Sequence, residues 1–144
     1  MICSATIKDI ETISKMALKM WEDHTIEELL IEFENILKNK DSVVYIYYFK
    51  DNPVGFAHCQ LRRDYVEGTH TPVVAYLEGI YIDKNNRRKG YAKDLLLMCE
   101  KWARQKGCIE LASDCEIDNE VSFDFHQSVG FEEVNRIICF RKEI

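Results

Sequence analysis

No apolar run in the chain approaches the ~20 residues that a bilayer-spanning helix requires, and the opening residues Met1-Ile2-Cys3-Ser4 show no basic region leading into an apolar core. A cytoplasmic protein without a membrane partner is therefore expected. The six cysteines (Cys3, Cys59, Cys99, Cys108, Cys115 and Cys139) include no C-x-x-C pair, and the four histidines lie far apart. This spacing argues against a zinc site or a disulfide framework, so free thiols and no metal are expected. Positive charge is not in excess: 19 Lys and Arg against 25 Asp and Glu leave a net charge of −6. DNA and RNA are disfavoured as main ligands, whereas a cationic partner suits the balance, as does plain solubility. A P-loop ending in GK[ST] and a G-x-G-x-x-G fingerprint are both missing, so neither a nucleoside triphosphatase nor a dinucleotide binder is favoured.

What the chain does hold is the composition of an ordinary globular domain, 47% hydrophobic and 31% charged over 144 residues. That length suits one domain spanning residues 1–144, with no linker, repeat or low-complexity run. Residues 2–7 read as a strand, and Thr6-x-x-Asp9 as a helix cap ahead of Ile10, Ile13, Met16, Ala17 and Met20. Thr25 to Glu28 has capping-box spacing before the stripe Ile26, Leu29, Leu30, Phe33, Ile36, Leu37. Val43–Lys50 and Val54–Leu61 form a hairpin about a turn at Asp51-Asn52-Pro53, and the aperiodic 62–72 is a loop long enough to be functional. A strand follows at 75–82, then a helix from about Gly90 to Lys106 stopped by Gly107, a strand at 109–113, a helix at 120–128, and two closing strands at 131–135 and 137–141. The order is β-α-α-β-β-β-α-β-α-β-β.

The stretch 75–105 organises the rest. A strand feeds a polar loop that opens into a helix N-terminus, where unpaired N–H groups, the helix dipole and a glycine make an anion site, ringed by Arg87, Arg88, Lys89 and Lys93. Within that strand Glu78 is a charged residue among apolar neighbours and needs a reason to be there. Alternation places it with Tyr76 and Ile80 on one face and Leu77 and Gly79 on the other. Asp114, at the C-terminal end of the next strand, lies where α/β sheets hold ligands.

The spacing Arg87-x-x-Gly90-x-Ala92 between strand and helix resembles the acyl-CoA signature R/Q-x-x-G-x-G/A of the GNAT N-acetyltransferases, and the element order is theirs. Asn119, which opens the last helix, and Gly130-Phe131, which ends it, match as well. The segments Tyr76 to Ile82 (with LEGI), Asp64-Tyr65-Val66-x-Gly68, Ala112-Ser113-Asp114, His126-Gln127-x-x-Gly130-Phe131-Glu132-Glu133 and Phe140-Arg141-Lys142 resemble the aminoglycoside 6'-N-acetyltransferases in particular.

The resemblance implies an α/β (α+β) GNAT fold with a mixed central sheet of six to seven strands and about four helices. Acetyl-CoA is implied as co-substrate, with direct amine attack in a ternary complex and no acyl-enzyme. Its pyrophosphate would lie on Arg87, Arg88, Lys89, Gly90, Tyr91, Ala92 and Lys93, its pantetheine along Ile80, Tyr81 and Ile82, and Asn119 would bind it too. Glu78 and Asp114 are implied as catalytic carboxylates. His126 stands where many members have the tyrosine that protonates the CoA thiolate. The aminoglycoside would meet Trp21, His24, Tyr65, Glu78, Asp114 and the position of Asn135, where relatives carry a Glu; a homodimer is implied. Glu22, Asp23, Glu116 and Asp118 would extend the acidic cleft. A polyamine or protein amine is the rival substrate, and an acyl-CoA sensor without turnover the rival outside enzymes.

Overall fold

Two capping boxes set the first layer. In the computed structural model, which describes all 144 residues, Thr6 and Asp9 exchange hydrogen bonds across a single 3-10 turn, and the helix α1 (Ile10–Met20) continues from it. Thr25 and Glu28 do the same for α2 (Ile26–Lys38). Each box satisfies N–H groups that a helix start leaves unpaired.

The sheet follows in chain order. The strands β1 (Ile2–Ser4), β2 (Ser42–Phe49), β3 (Asn52–Arg62) and β4 (Val74–Ile82) run antiparallel to their neighbours, and β5 (Leu111–Ser113) lies parallel to β4. The hairpin between β2 and β3 turns on Lys50 and Asp51, both left-handed with φ of 47° and 64°. That matches the strands' twist and places the turn one or two residues before the Asp51-Asn52-Pro53 expected from composition. Between β4 and β5 runs α3 (Tyr91–Gln105), and α4 (Glu120–Ser128) follows β5.

Side chains alternate between two cores. On one face Ile13, Met16, Ala17, Leu29 and Phe33 of α1 and α2 pack on Val44, Ile46, Phe56 and Tyr81, with Phe33 and Phe56 edge to face at 5.8 Å. On the other, Leu95, Leu96, Cys99, Trp102 and Ala103 of α3 cover Ala57, Cys59, Ala75, Leu77 and Ile82. All six cysteines are free. Cys59 and Cys99 touch inside the second core, where that contact and burial push the Cys59 thiol far above its ordinary range.

The sheet has five strands, not six or seven. Neither strand expected over 131–135 and 137–141 forms: beyond the Phe131 N–H, which donates to His126 O at 3.0 Å, no residue to the C-terminus makes a main-chain to main-chain hydrogen bond. β-branched and aromatic residues make a strand only where a ladder partner runs alongside, and this chain sets none beside the segment. Val134, Ile137, Ile138, Phe140 and Ile144 stay exposed.

Candidate active site

The site is an opening in the sheet. β4 and β5 pair only at Ala75 with Leu111, Tyr76 with Ala112 and Leu77 with Ser113. Past Leu77 the two strands part, and the β4 edge from Glu78 to Ile82 faces no strand on that side. The splay coincides with a bulge: Cys59 of β3 faces Leu77 while His58 faces Gly79, so Glu78 is the additional residue. The bulge also corrects the expected alternation. Ile80 packs with Leu77 against the α3 core rather than sharing a face with Glu78, because one inserted residue inverts everything beyond it.

Glu78 therefore points to the α1 and α2 side, and a network fixes it there. Arg62 on β3 forks onto the carboxylate, Nε to Oε1 at 2.8 Å and a terminal nitrogen to Oε2 at 2.7 Å, and Gln60 donates to Oε1 at 2.8 Å. The guanidinium carbon of Arg62 lies 3.4 Å from the centre of the Tyr76 ring, and the Tyr76 hydroxyl donates to Asp114. Burial and that carboxylate push the Tyr76 hydroxyl well above its usual range. The two carboxylates are thus joined through Arg62 and Tyr76.

Trp21, the residue that ends α1, covers the bulge: a Cβ built on Gly79 would stand 3.2 Å from its indole. His24 lies beside it, ring centres 6.2 Å apart. Tyr65 is 82% exposed on the loop between β3 and β4, with its hydroxyl on Glu67 at 2.9 Å. Asn135 is not assembled with this group; it lies in the exposed C-terminal segment and its Oδ1 accepts from the Arg136 N–H at 2.8 Å.

The strand-to-helix turn is open. Arg88 and Gly90 are both left-handed, with φ of 61° and 85°, so successive N–H groups turn into one concavity. Gly90 serves by its backbone conformation, and a Cβ there would meet nothing within 4 Å. The first amide of α3 with a partner is that of Asp94, on Gly90 O at 3.0 Å, so those of Tyr91, Ala92 and Lys93 lie free of intrahelical partners. Arg87 uses its Nε to hold the Ile82 carbonyl at 2.9 Å, bracing the turn to the end of β4. Tyr91 stacks on Tyr47 with ring centres 4.2 Å apart, anchoring the helix start. Tyr81 turns its ring into the α1 and α2 core, where burial and Asp83 push its hydroxyl up to about 12; Ile80 and Ile82 leave the open edge beside the turn.

At the far side of the opening His126, on α4, sets Nδ1 2.6 Å from the Ser122 carbonyl and Nε2 2.8 Å from Ser113 Oγ. Asn119 caps α4, its Oδ1 accepting from the Ser122 N–H at 3.1 Å, which leaves the NH2 of the amide for a ligand. Sequence reasoning missed Gln60, Arg62, Tyr76, Ser113 and the buried His58 as site residues. Gln60 and Arg62 recur at period two with His58 along β3 and so carried a signal; pairing them with Glu78 needs the register across the bulge.

Beside this geometry stands the family match: the model of the Acetyltransferase (GNAT) family matches residues 7–131. The chain belongs to the GNAT acetyltransferases. An aminoglycoside N(6')-acetyltransferase type 1 from Acinetobacter genomosp. 13 is 39% identical over 126 residues, 87% of this chain and 86% of the relative. One of the same name from Stenotrophomonas maltophilia is 34% identical over 141 residues, 97% of this chain and 91% of that one. Among solved structures, the aminoglycoside N-acetyltransferase AAC(6')-Iy in complex with CoA superimposes with a TM-score of 0.96 at 33% identity, covering 100% of this chain and 95% of that one. AAC(6')-Iy in complex with a bisubstrate analogue, CoA-S-monomethyl-acetylneamine, gives 0.95 at 33% identity, covering 100% and 98%. This GNAT chain is an acetyltransferase, and acetyl-CoA is its co-substrate.

Proposed function

We propose that this enzyme acetylates the 6'-amine of aminoglycosides by direct attack of the amine on acetyl-CoA. The observation that carries the reading is the joined carboxylate pair, Glu78 and Asp114, held on the same side as Trp21 and beside the open edge of β4. The likeness to relatives named for this activity supports it. Pyrophosphate settles on the amides of Tyr91 to Lys93 with Arg88, Lys89 and Lys93 around it, and Asn119 adds its amide. Pantetheine runs along Ile80 to Ile82 as an added strand, where an N–H of Tyr81 or Ile82 meets the thioester oxygen and contributes about 3 kcal/mol to the transition state.

An aminoglycoside arrives as a polycation. Its ammonium group is drawn to Glu78 and Asp114, and the proton leaves through a carboxylate-bound water, because three of the four lone-pair positions of Glu78 are already taken by Gln60 and Arg62. Trp21, His24 and Tyr65 offer ring faces and polar edges to the sugars.

Two copies work together in this reading. The apolar side chains of Val134, Ile137, Ile138 and Phe140 face water, with Asn135 among them, so a homodimer that covers them also sets Asn135 against a substrate site. Ile138→Asp is expected to convert a dimer into a monomer in analytical ultracentrifugation; a parent that sediments as a monomer overturns this part. For the activity, thiol release is measured with tobramycin, kanamycin, spermidine and a lysine peptide. The aminoglycosides should give kcat/KM at least about 10²-fold above the others, a gap of roughly 3 kcal/mol; equal rates would reassign the substrate class.

A further inference from the structure

We propose that Ser113 is the group that protonates the departing CoA thiolate, and that His126 resupplies it. The inference rests on acetyl transfer at the open edge of β4. It adds a catalytic hydroxyl where the family resemblance offered only the ring of His126.

The geometry separates the two side chains. His126 is half-buried, flanked by Phe125 and Phe131 with ring centres 5.7 and 5.1 Å away, and both of its nitrogens are engaged. The Ser122 carbonyl can only accept, so Nδ1, 2.6 Å away, carries a proton. Nε2 lies 2.8 Å from Ser113 Oγ, so no ring N–H faces the opening. Ser113 stands elsewhere: it is the last residue of β5, paired with Leu77 at the vertex where the strands part. Its hydroxyl donates to the Leu77 carbonyl at 3.2 Å, one residue before the bulge. A thioester laid along the β4 edge reaches that vertex with its sulfur end. The hydroxyl, held by its weaker contact to Leu77, turns to it.

The step balances as follows. The amine nitrogen bonds the thioester carbon and the C–S bond breaks, leaving its electron pair on sulfur. Sulfur takes the proton of Ser113 Oγ. The oxygen takes the Nε2 proton of a doubly protonated His126, which ends neutral with Nδ1–H still on Ser122. The proton lost by the amine enters water at the carboxylates, and His126 regains one from solvent, so one proton passes from nitrogen to sulfur overall.

The test compares Ser113→Ala, Ser113→Thr, His126→Gln and the Ser113→Ala/His126→Gln double variant with the parent, using whichever amine of the panel above is acetylated fastest. CoA binding by calorimetry reports whether each variant folds and loads. Ser113→Ala and His126→Gln are each expected to lower kcat about 10²-fold, the usual contribution of a positioned proton donor, with CoA affinity within about threefold of the parent. The double variant should fall no more than about threefold below either single one, because the two act as a unit. Ser113→Thr, which keeps the hydroxyl, should recover to within about fivefold of the parent. The inference is overturned if Ser113→Ala keeps kcat within threefold, if CoA affinity falls as far as kcat, if Thr is as slow as Ala, or if the two losses multiply. A parent that prefers spermidine would sink the substrate reading and leave this series fully readable.

Discussion

Glu78→Gln is expected to lower kcat/KM for tobramycin about 10²- to 10³-fold, a loss of about 3 to 4 kcal/mol, while acetyl-CoA binds as before. Two physical losses add. The amide no longer attracts the substrate ammonium, and Arg62, which now neutralises Glu78 through a two-pronged contact, becomes an uncompensated cation inside a site for cations. Removing one partner of a partly buried pair is costly for that second reason. It follows that Arg62→Met on top of Glu78→Gln should restore part of the loss, about tenfold, although each change alone is harmful. Initial rates with tobramycin and calorimetry with CoA decide the matter. Glu78→Gln within threefold of the parent, or a double variant no better than the single one, would show that Glu78 does not meet the amine.

A second large effect concerns pH. His58 lies on β3 opposite Gly79, 5% exposed, with Nε2 buried and without a hydrogen-bond partner. Burial holds its imidazole down to about 4, against an ordinary 6.5. The folded protein therefore binds fewer protons than the unfolded chain between those values. Stability from this group is intact above pH 6.5, declines as the pH falls through the interval, and is fully lost near pH 4, where the total reaches about 3 kcal/mol. Between pH 7 and pH 5 the difference is about 2 kcal/mol. Urea unfolding at both values should show it in the parent and not in His58→Leu, which also removes an unsatisfied buried nitrogen and should be at least as stable at pH 7. Equal losses in both proteins would mean that His58 titrates normally.

Local rules made much of this molecule readable from its residues. The two capping boxes, the stripe of α2, the αL glycine at 107 and the strand-to-helix turn each depend on contacts within a few positions, and each was found where expected. Glu78 stood out for the same reason, as a charge without local excuse. What stayed hidden depends on register. The bulge that reverses Ile80, the grip of Arg62 on Glu78, and the meeting of Ser113 with His126 across 13 positions all need the strands laid side by side. The C-terminal segment failed differently: its β-branched and aromatic residues suit a strand, but pairing is a property of two strands, and one of them is missing from the chain's own sheet.

The parted strands have a practical side. From Glu78 to Ile82 the rim of β4 offers main-chain donors and acceptors to anything extended that comes along, which is how stray chains begin to clump. CoA lying in that gap would act as a stopper as well as a reagent, so preparations kept with CoA should outlast those stored bare.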